Sequence, residues 1–266
     1  MINVLPVGNY LSEQSFAHRL DPRAKIIIVI CFIVSLFFIK NYWGLLWAGM
    51  FFVVLAKAAN TDIKYIFTGL KPIMLIIMFT FILHLFITPG TVIYQFGPLF
   101  MTVEGLARGT FMAARLILLI GVSVILTATT SPIRLTAGLE KLFKPLIRLK
   151  IPVNELALMV SIALRFIPTF IDETEKIIKA QSSRSVSFHT GTLLSRMKNL
   201  TAILIPLFIN SFKRAEDLAM AMETRCYQGG IGRTSLYPFK FTNKEHAAIG
   251  IVVFYFIVAA YIRQLV

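Results

Sequence analysis

The sequence predicts an all-α integral membrane protein with about five transmembrane helices and three long amphipathic helices between the fourth and the fifth. Three observations lead to this fold class. Hydrophobic residues make up 57% of the 266 residues. Charged residues make up only 15%, against about 25% in ordinary soluble domains. Apolar runs that are too long and too uniform for a soluble core recur along the chain.

Five apolar runs are the predicted spans. They occupy residues 26–39, 41–56, 72–88, about 105–130 and 247–262. Several are shorter than the ~20 residues that a spanning helix normally needs, but lysines at their ends can extend them by reaching toward the interface. Ahead of the first run, Asp21 suits the N-cap position and Pro22 the first helical position, and Arg23 follows. We expect these three residues to end a cytoplasmic turn before the first span.

The basic residues predict the orientation in the membrane. Lys and Arg number 27 against 13 Asp and Glu, a formal net charge of +14. With the N-terminus inside, most loop lysines and arginines face the cytoplasm, as the positive-inside rule requires. We therefore expect a multi-pass protein of the cell membrane with a cytoplasmic N-terminus. No pattern of aromatic and basic residues for stacking bases is present in the sequence, so no nucleic-acid partner is expected.

A long insertion between the fourth and fifth spans predicts a cytoplasmic domain. The chain then divides into 1–130 (N-terminal tail and four spans), 131–243 (the insertion) and 244–266 (the final span). The insertion carries 16 of the 27 basic residues, yet it is rich in Leu, Ile and Phe. Its first helix is predicted to begin at Ser131 and Pro132 and to carry one apolar stripe from Leu135 to Ile147.

Two longer helices are predicted next, from about Pro152 to Gln181 and over roughly 192–226. Each begins apolar and ends polar, and each contains a proline, Pro168 or Pro206, that is expected to bend it. As membrane spans they would place charged residues such as Arg165 in or against lipid, at a few kcal/mol each. We therefore predict that both begin under the membrane and run along its cytoplasmic face.

Each of these two helices ends in a single arginine between small residues. The two triplets are Ser183-Arg184-Ser185 and Thr224-Arg225-Cys226. A basic residue at a helix C-terminus is common, because the carbonyl dipoles there favour positive charge by ~0.3–1 kcal/mol. The occurrence of two such ends favours a docking role instead. A planar guanidinium that projects from a helix end can bind a carboxylate of a partner with two parallel hydrogen bonds.

Other residues in the spans have simpler interpretations. His84 is predicted to be a hydrogen-bonded structural residue, with an ion-binding or proton-relay role as the alternative. Gly105 and Gly109 have the spacing of a close helix contact. Arg115 is predicted to anchor its span at the interface, with a pairing to Glu104 as the alternative. The histidines show no metal-ligand spacing, so no metal site is expected.

Three segments resemble a known family. The leader "HRLDPRAK" (18–25) and the motifs "AQSSRSVSF" (180–188) and "AMETRCYQGG" (221–230) resemble those of the transmembrane T component of energy-coupling factor transporters. The order of spans, insertion and last span agrees as well, so the resemblance covers essentially the whole chain. The family's usual Ala-Arg-Gly reads Ser-Arg-Ser and Thr-Arg-Cys here. The missing glycine bears on the backbone, because glycine favours the left-handed turn that ends many helices.

The resemblance implies a non-catalytic scaffold in the lipid membrane, bound to two ABC-type ATPases and to a small membrane S component that captures the substrate. By the same resemblance, Arg184 and Arg225 would each enter a groove on one ATPase, and the helices that end in them would be coupling helices. ATP and Mg²⁺ would bind to the ATPases, and this chain would hold no cofactor; its sequence has no G-x-x-x-x-G-K-[ST] loop. The cargo would be a vitamin or a transition-metal ion chosen by the S component.

Three alternative functions stay open. One is a T component dedicated to cobalt or nickel. An intramembrane enzyme would need a nucleophile or paired acids facing inward, and the sequence shows none. A secondary transporter would show internal repeats among its spans, whereas the internal echo here, "IPTFI" at 167–171 and "IPLFI" at 205–209, lies in the insertion.

Overall fold

The fold is that of a computed structural model, which describes residues 15–96, 99–184, 193–229 and 243–265. The α-helices of these residues are α1 (Phe16–Arg19), α2 (Pro22–Phe38), α3 (Tyr42–Ala59), α4 (Ile63–Leu70), α5 (Met74–Ile87), α6 (Val103–Thr129), α7 (Pro132–Phe143), α8 (Val153–Ser183), α9 (Leu193–Glu223) and α10 (Asn243–Leu265). Short 3₁₀ helices cover Lys71–Ile73 and Lys144–Leu149, and strands β1 (Val92–Phe96) and β2 (Leu99–Thr102) pair antiparallel.

The described residues form two compact units. The first, which we call the membrane unit, comprises 15–138 with 243–265 and contains α1 to α6, the hairpin and α10. The second, which we call the helix-pair unit, comprises 139–184 with 193–229 and contains α8 and α9. The boundary between the two falls within α7.

The predicted class, an all-α membrane protein, is confirmed. By length and composition, four of the described helical stretches could cross a membrane: Tyr42–Ala59, Ile63–Ile87, Val103–Thr129 and Val153–Ser183. The helix over Ala247–Ile262 is apolar but shorter. The stretch Val153–Ser183 is α8, which the sequence analysis placed outside the membrane. The number of helices that cross the membrane therefore stays a prediction.

The core of the membrane unit forms around α2. Phe32 and Leu36 of this helix are fully buried, and so is Tyr255 of α10. The Tyr255 ring stacks on Phe51 of α3, with 4.3 Å between ring centroids. Its hydroxyl forms a hydrogen bond of 2.8 Å with the Ser35 hydroxyl. The tyrosine can be buried here because its one polar group is paired.

The start of α2 matches the prediction. Asp21 is the N-cap residue and accepts a hydrogen bond of 2.9 Å from the Arg23 N–H, and Pro22 takes the first helical position. Four residues after the cap, the buried Lys25 ammonium donates to the Thr129 carbonyl oxygen, at 2.8 Å, and to the Thr130 hydroxyl, at 3.2 Å. A cation at a helix C-terminus is favourable, so Lys25 ties the start of α2 to the end of α6.

Gly105 and Gly109 form the predicted close helix contact, and the partner is α5. A Cβ atom on Gly105 would lie 2.7 Å from the carbonyl oxygens of His84 and Leu85. A Cβ on Gly109 would lie 3.1 Å from the Phe81 carbonyl oxygen. No side chain fits at the first position without a shift of backbone, so glycine there allows α5 and α6 to approach closely.

The two polar residues with open alternatives each contact a backbone carbonyl group. His84 Nδ1 lies 2.8 Å from the Thr80 carbonyl oxygen of its own helix, in hydrogen-bonding distance. The Arg115 guanidinium donates to the Ile39 carbonyl oxygen. The pairing of Arg115 with Glu104 is absent from the described contacts, because the Glu104 carboxylate instead accepts a hydrogen bond of 2.7 Å from the Thr91 N–H.

Two stretches differ from the sequence prediction. The stripe from Leu135 to Ile147 is not one long helix, since α7 ends at Phe143 and a 3₁₀ helix follows. The cause is Pro145, which has no N–H to donate and whose ring clashes with the preceding turn of an α-helix. The hairpin between α5 and α6 was not predicted, although a Gly-Pro pair between two runs of β-branched and aromatic residues is a turn signal.

Replacement of Gly105 by alanine tests the α5–α6 contact. We expect Gly105→Ala to lower the free energy of unfolding by about 1–3 kcal/mol, because its Cβ would overlap two backbone oxygens. Gly49 is the matched control: it is also helical, but a Cβ there meets nothing within 4 Å, so Gly49→Ala should gain up to about 1 kcal/mol from helix propensity. Thermal unfolding in detergent measures both. Equal melting temperatures for the two variants would contradict the close contact.

Candidate functional site

The first arginine triplet lies at the end of α8. Arg184 is the C-cap residue, and its N–H donates to the carbonyl oxygens of Gln181, at 3.0 Å, and Ser182. These bonds tighten the last turn and satisfy carbonyl groups that have no partner within the helix. The third member of the triplet, Ser185, lies outside the described residues.

The second triplet ends α9 in a Schellman motif. The Tyr227 N–H donates to the Met222 carbonyl oxygen, at 3.0 Å, and the Cys226 N–H donates to the Glu223 carbonyl oxygen, at 2.8 Å. Cys226 has φ +53°, in the left-handed region, where glycine is the usual residue. Arg225 is then the C-cap residue of α9, just as Arg184 is of α8. Cys226 therefore adopts the backbone conformation that the family's glycine favours.

The small residues ahead of each arginine bond back to their own helix. The Ser183 hydroxyl donates to the Lys179 carbonyl oxygen, and the Thr224 hydroxyl donates to the Ala221 carbonyl oxygen, both at 3.1 Å. Arg184 and Arg225 are exposed. Within the part of the chain that the structure describes, neither guanidinium forms a hydrogen bond or an ion pair. We call these two helix ends the arginine tips.

Helices α8 and α9 pack antiparallel, as two contacts show. Early in α8, the Glu155 carboxylate lies 3.9 Å from the position of a Cβ on Gly229, which follows the end of α9. Later in α8, Glu173 contacts Asn210 and Arg214, which precede that end. Residues later in α8 contact residues earlier in α9, so the two helices run in opposite directions. The arginine tips therefore lie at opposite ends of the pair.

The Glu173 contact is a group of three residues that the sequence analysis missed. Its Oε1 accepts a hydrogen bond of 2.6 Å from Asn210 Nδ2, and its Oε2 lies 3.1 Å from Arg214 Nη2. We call Glu173, Asn210 and Arg214 the clasp. A signal for it exists in the sequence, because Asn210 follows the "IPLFI" segment directly and Glu173 follows the related "IPTFI" segment by two residues.

The two prolines lie where the sequence predicts, each inside a helix. Pro168 leaves the Leu164 carbonyl without its helical N–H partner, and Pro206 does the same for Ala202. Loss of such a bond is the usual cause of a helix bend. Between each proline and the arginine tip of its helix there is no further proline, so the stretch that carries the tip is regular.

Comparison with known proteins identifies the family. The chain matches the family model CbiQ, described as a cobalt transport protein, over residues 13–236. It is 48% identical over 244 residues to the energy-coupling factor transporter transmembrane protein EcfT of Thermosediminibacter oceani, which covers 92% of each chain. The chain belongs to the EcfT family. EcfT of Ruminiclostridium cellulolyticum is 46% identical over 95% of each chain, and EcfT of Bacillus subtilis is 43% identical over 94% of each chain.

Membership of the EcfT family confirms the resemblance drawn from the leader and the two arginine triplets. It makes this chain a transmembrane component of a transporter, embedded in the membrane by several helices. The relatives align over nearly their whole length, so the helix-pair unit and its arginine tips belong to the part that they share with this chain.

The left-handed Cys226 gives a test of the second tip. We expect Cys226→Gly to raise the free energy of unfolding by up to about 1 kcal/mol, because glycine adopts positive φ without the steric cost that other residues have. Ala221→Gly, one turn earlier on the exposed surface of α9, should lower it by about 1 kcal/mol through helix propensity. Thermal melts of the purified protein compare the two, and a destabilised Cys226→Gly would refute the left-handed conformation.

Proposed function

We propose that this chain couples two ABC-type ATPases to a membrane S component and so drives the uptake of a vitamin. The observation that carries the proposal is the antiparallel pair of α8 and α9 with one exposed arginine at each end. The chain itself would be non-catalytic, and ATP and Mg²⁺ would be bound by the ATPases.

The geometry of the tips favours two separate partners. Arg184 follows Glu173 by eleven residues and Arg225 follows Arg214 by eleven. A helix rises about 1.5 Å per residue, so each tip extends roughly 16 Å from the clasp, and the two point in opposite directions along the pair. Two tips separated by up to about 33 Å along the helix axes suit two neighbouring subunits better than one.

The chemistry of each tip favours an acidic groove on the partner. An arginine guanidinium has five donors in a planar fork and stays charged at any physiological pH. Because Ser183 and Thr224 use their hydroxyls on their own helices, the arginine is the group that remains for a partner. A carboxylate in a groove would bind it with two charge-assisted hydrogen bonds.

The apolar halves of the two helices favour contact with the S component. Large hydrophobic residues on them are exposed in the single chain: Leu156, Met159, Val160, Leu204, Ile205, Phe208, Ile209 and Phe212. An exposed apolar surface of this kind marks contact with protein or lipid. A change in the angle between α8 and α9 would then move the S component, with the helix pair on the cytoplasmic side as the basic residues predict.

The cargo would be set by the S component rather than by this chain. A vitamin is our proposal, and cobalt is the alternative, because the matching family model is described as a cobalt transport protein. Co-purification of the complex from its native membrane, followed by mass spectrometry of the small hydrophobic subunit and its bound ligand, separates the two. A bound vitamin supports the proposal, and a bound cobalt or nickel ion supports the alternative.

Charge reversal at the tips tests the docking. Loss of one partner of a buried interfacial charge pair costs roughly 2–5 kcal/mol, and each 1.4 kcal/mol is about tenfold in affinity. We therefore expect Arg184→Glu and Arg225→Glu each to weaken ATPase binding at least about 20-fold, and the double variant to lose both ATPases in co-purification.

The control for this experiment is Lys176→Glu, which makes the same change in charge on an exposed residue of α8 about two turns before Arg184. It should leave ATPase binding unchanged. Normal co-purification of the ATPases with the double arginine variant would contradict the proposal. An equal loss of ATPase binding in Lys176→Glu would mean that the change in net charge alone causes the loss.

A further inference from the structure

A groove on the membrane unit is apolar along most of its length and carries charged residues at one end. It is lined by α3, α4 and α5, and by Ile117 of α6. Its volume is about 940 Å³, within the roughly 300–1,000 Å³ that is typical of ligand sites. Its apolar lining includes Phe52, Ile66, Leu70 and Ile77. The occupant that fits such a groove is itself long and largely apolar.

The length of the groove suits a lipid of one leaflet. On α4 and α5 its lining runs from Ile63 to Ile77, within the stretch Ile63–Ile87 that could cross a membrane by length and composition. At 1.5 Å per residue, this part of the stretch is roughly 20 Å long. One leaflet contributes about half of the ~30 Å hydrocarbon core of a bilayer. The groove is therefore long enough for an acyl chain whose head group stays at the charged end.

The charged end of the groove lies where α3 ends and α4 begins. Lys57 is in the last turn of α3, and Asn60, Asp62 and Lys64 follow it in the lining. All four residues are exposed. Among the residues that the structure describes, the side chains of Lys57, Asp62 and Lys64 form no hydrogen bond or ion pair. Two ammonium groups are thus available to a ligand that enters the groove.

Local helix electrostatics explain only one of the two lysines. A cation in the last turn of a helix is favourable, so Lys57 suits the end of α3 without any ligand. Lys64 is the second residue of α4, where the positive end of the helix dipole disfavours a cation. An anion at this place would interact favourably with both ammonium groups and with the start of α4. The charged end therefore fits a phosphate group.

We propose that the groove binds one anionic phospholipid of the leaflet that the basic residues predict as cytoplasmic. An acyl chain lies along the apolar lining, and the phosphate lies between the ammonium groups of Lys57 and Lys64. Asp62 adds one negative charge, so the charged end has a net charge of +1. The lipid site does not depend on the proposed coupling role, because all of its residues belong to the membrane unit.

Asp62 distinguishes an anionic head group from a zwitterionic one. It repels the net negative charge of phosphatidylglycerol, whereas it would attract the ammonium group of phosphatidylethanolamine. Replacement of Asp62 by asparagine therefore changes the affinity for the two lipids in opposite directions. The two lysines attract the phosphate of either lipid, so their replacement alone does not identify the head group.

Native mass spectrometry of the purified full chain in detergent tests the head-group contacts. The probes are phosphatidylglycerol, phosphatidylethanolamine and phosphatidylcholine with the same acyl chains, each titrated separately. We expect one phosphatidylglycerol to bind most tightly. A lysine near an anionic lipid contributes about fivefold in affinity, so Lys57→Gln and Lys64→Gln should each weaken this binding about fivefold. Asp62→Asn should strengthen it by about two- to fivefold, because a repulsive charge is removed.

The matched control for the lysines is Lys71→Gln. Lys71 follows α4 in the same helical stretch and is exposed, but it does not line the groove. Its replacement makes the same change in net charge and should leave the affinity for phosphatidylglycerol unchanged. An equal loss in Lys71→Gln would mean that net charge alone attracts the lipid, and the proposed site would be wrong.

A second pair of variants tests whether the acyl chain lies in the groove. Val53 lines the groove and is 51% exposed, so a tryptophan there takes up space in the groove without entering the core. Displacement of only two methylene groups costs about tenfold in affinity, so Val53→Trp should weaken the binding of all three lipids at least about tenfold. Met50, three residues earlier on α3, is 58% exposed and does not line the groove. Met50→Trp should leave lipid binding unchanged.

Several outcomes would overturn the proposal. Equal affinities for the three lipids, or lysine variants that bind phosphatidylglycerol normally, would show that the charged end recognises no anionic head group. Weaker binding of phosphatidylglycerol in Asp62→Asn would contradict the anionic head group. Normal lipid binding in Val53→Trp would place the lipid outside the groove. The lysine and aspartate variants change exposed residues, so they decide the question if the tryptophan prevents folding.

The transporter complex purified from its native membrane gives an independent measurement. The same phospholipid should remain bound to this chain in the complex, and Val53→Trp should remove it. Absence of the lipid from the unaltered complex would mean that a protein partner covers the groove, which contradicts the proposal. This outcome is separate from the proposed coupling role, which the arginine variants Arg184→Glu and Arg225→Glu test.

Discussion

The antiparallel packing of α8 against α9 is the constraint on which the proposed coupling role of this chain depends. Two helices that each end in an arginine could pack in many ways. Only antiparallel packing places the two arginines at opposite ends of the pair. The direction is fixed by contacts at two points, near Glu155 and at Glu173. Because neither helix has a proline between the clasp and its arginine tip, both stretches lack the usual cause of a sharp helix kink.

The membrane unit is held together by contacts of its own. Its core is fixed by aromatic packing of Phe32, Phe51 and Tyr255 and by close backbone contact at Gly105. Lys25 donates a hydrogen bond to the carbonyl oxygen of Thr129, the last residue of α6, which precedes α7 in the chain. A helix end held by a buried cation loses much of its freedom to fray, so the point where the insertion begins is well defined.

Sequence patterns predicted the elements that depend on local chemistry. The cap at Asp21 and the Gly105–Gly109 contact follow from short-range rules, and the structure confirms both. The prediction of one helix from Leu135 to Ile147 was wrong. The apolar periodicity continues past Pro145, but the α-helix ends before this proline. The clasp was missed because it pairs residues from different helices, and no local rule states which register two helices will adopt. Hydropathy also leaves α8 undecided, since length and composition alone permit it to span.

The second arginine triplet ends its helix in a left-handed turn without glycine. In both triplets, the arginine is the C-cap residue and a small side chain ahead of it bonds back to its own helix. A glycine after the arginine would adopt the left-handed conformation without steric strain. Cys226 adopts it with φ +53°, at a conformational energy of roughly 1–2 kcal/mol. The two hydrogen bonds of the Schellman motif help to offset this energy. Among the residues that the structure describes, the exposed Arg225 guanidinium forms no hydrogen bond or ion pair, so Thr-Arg-Cys leaves it available at a closed helix end.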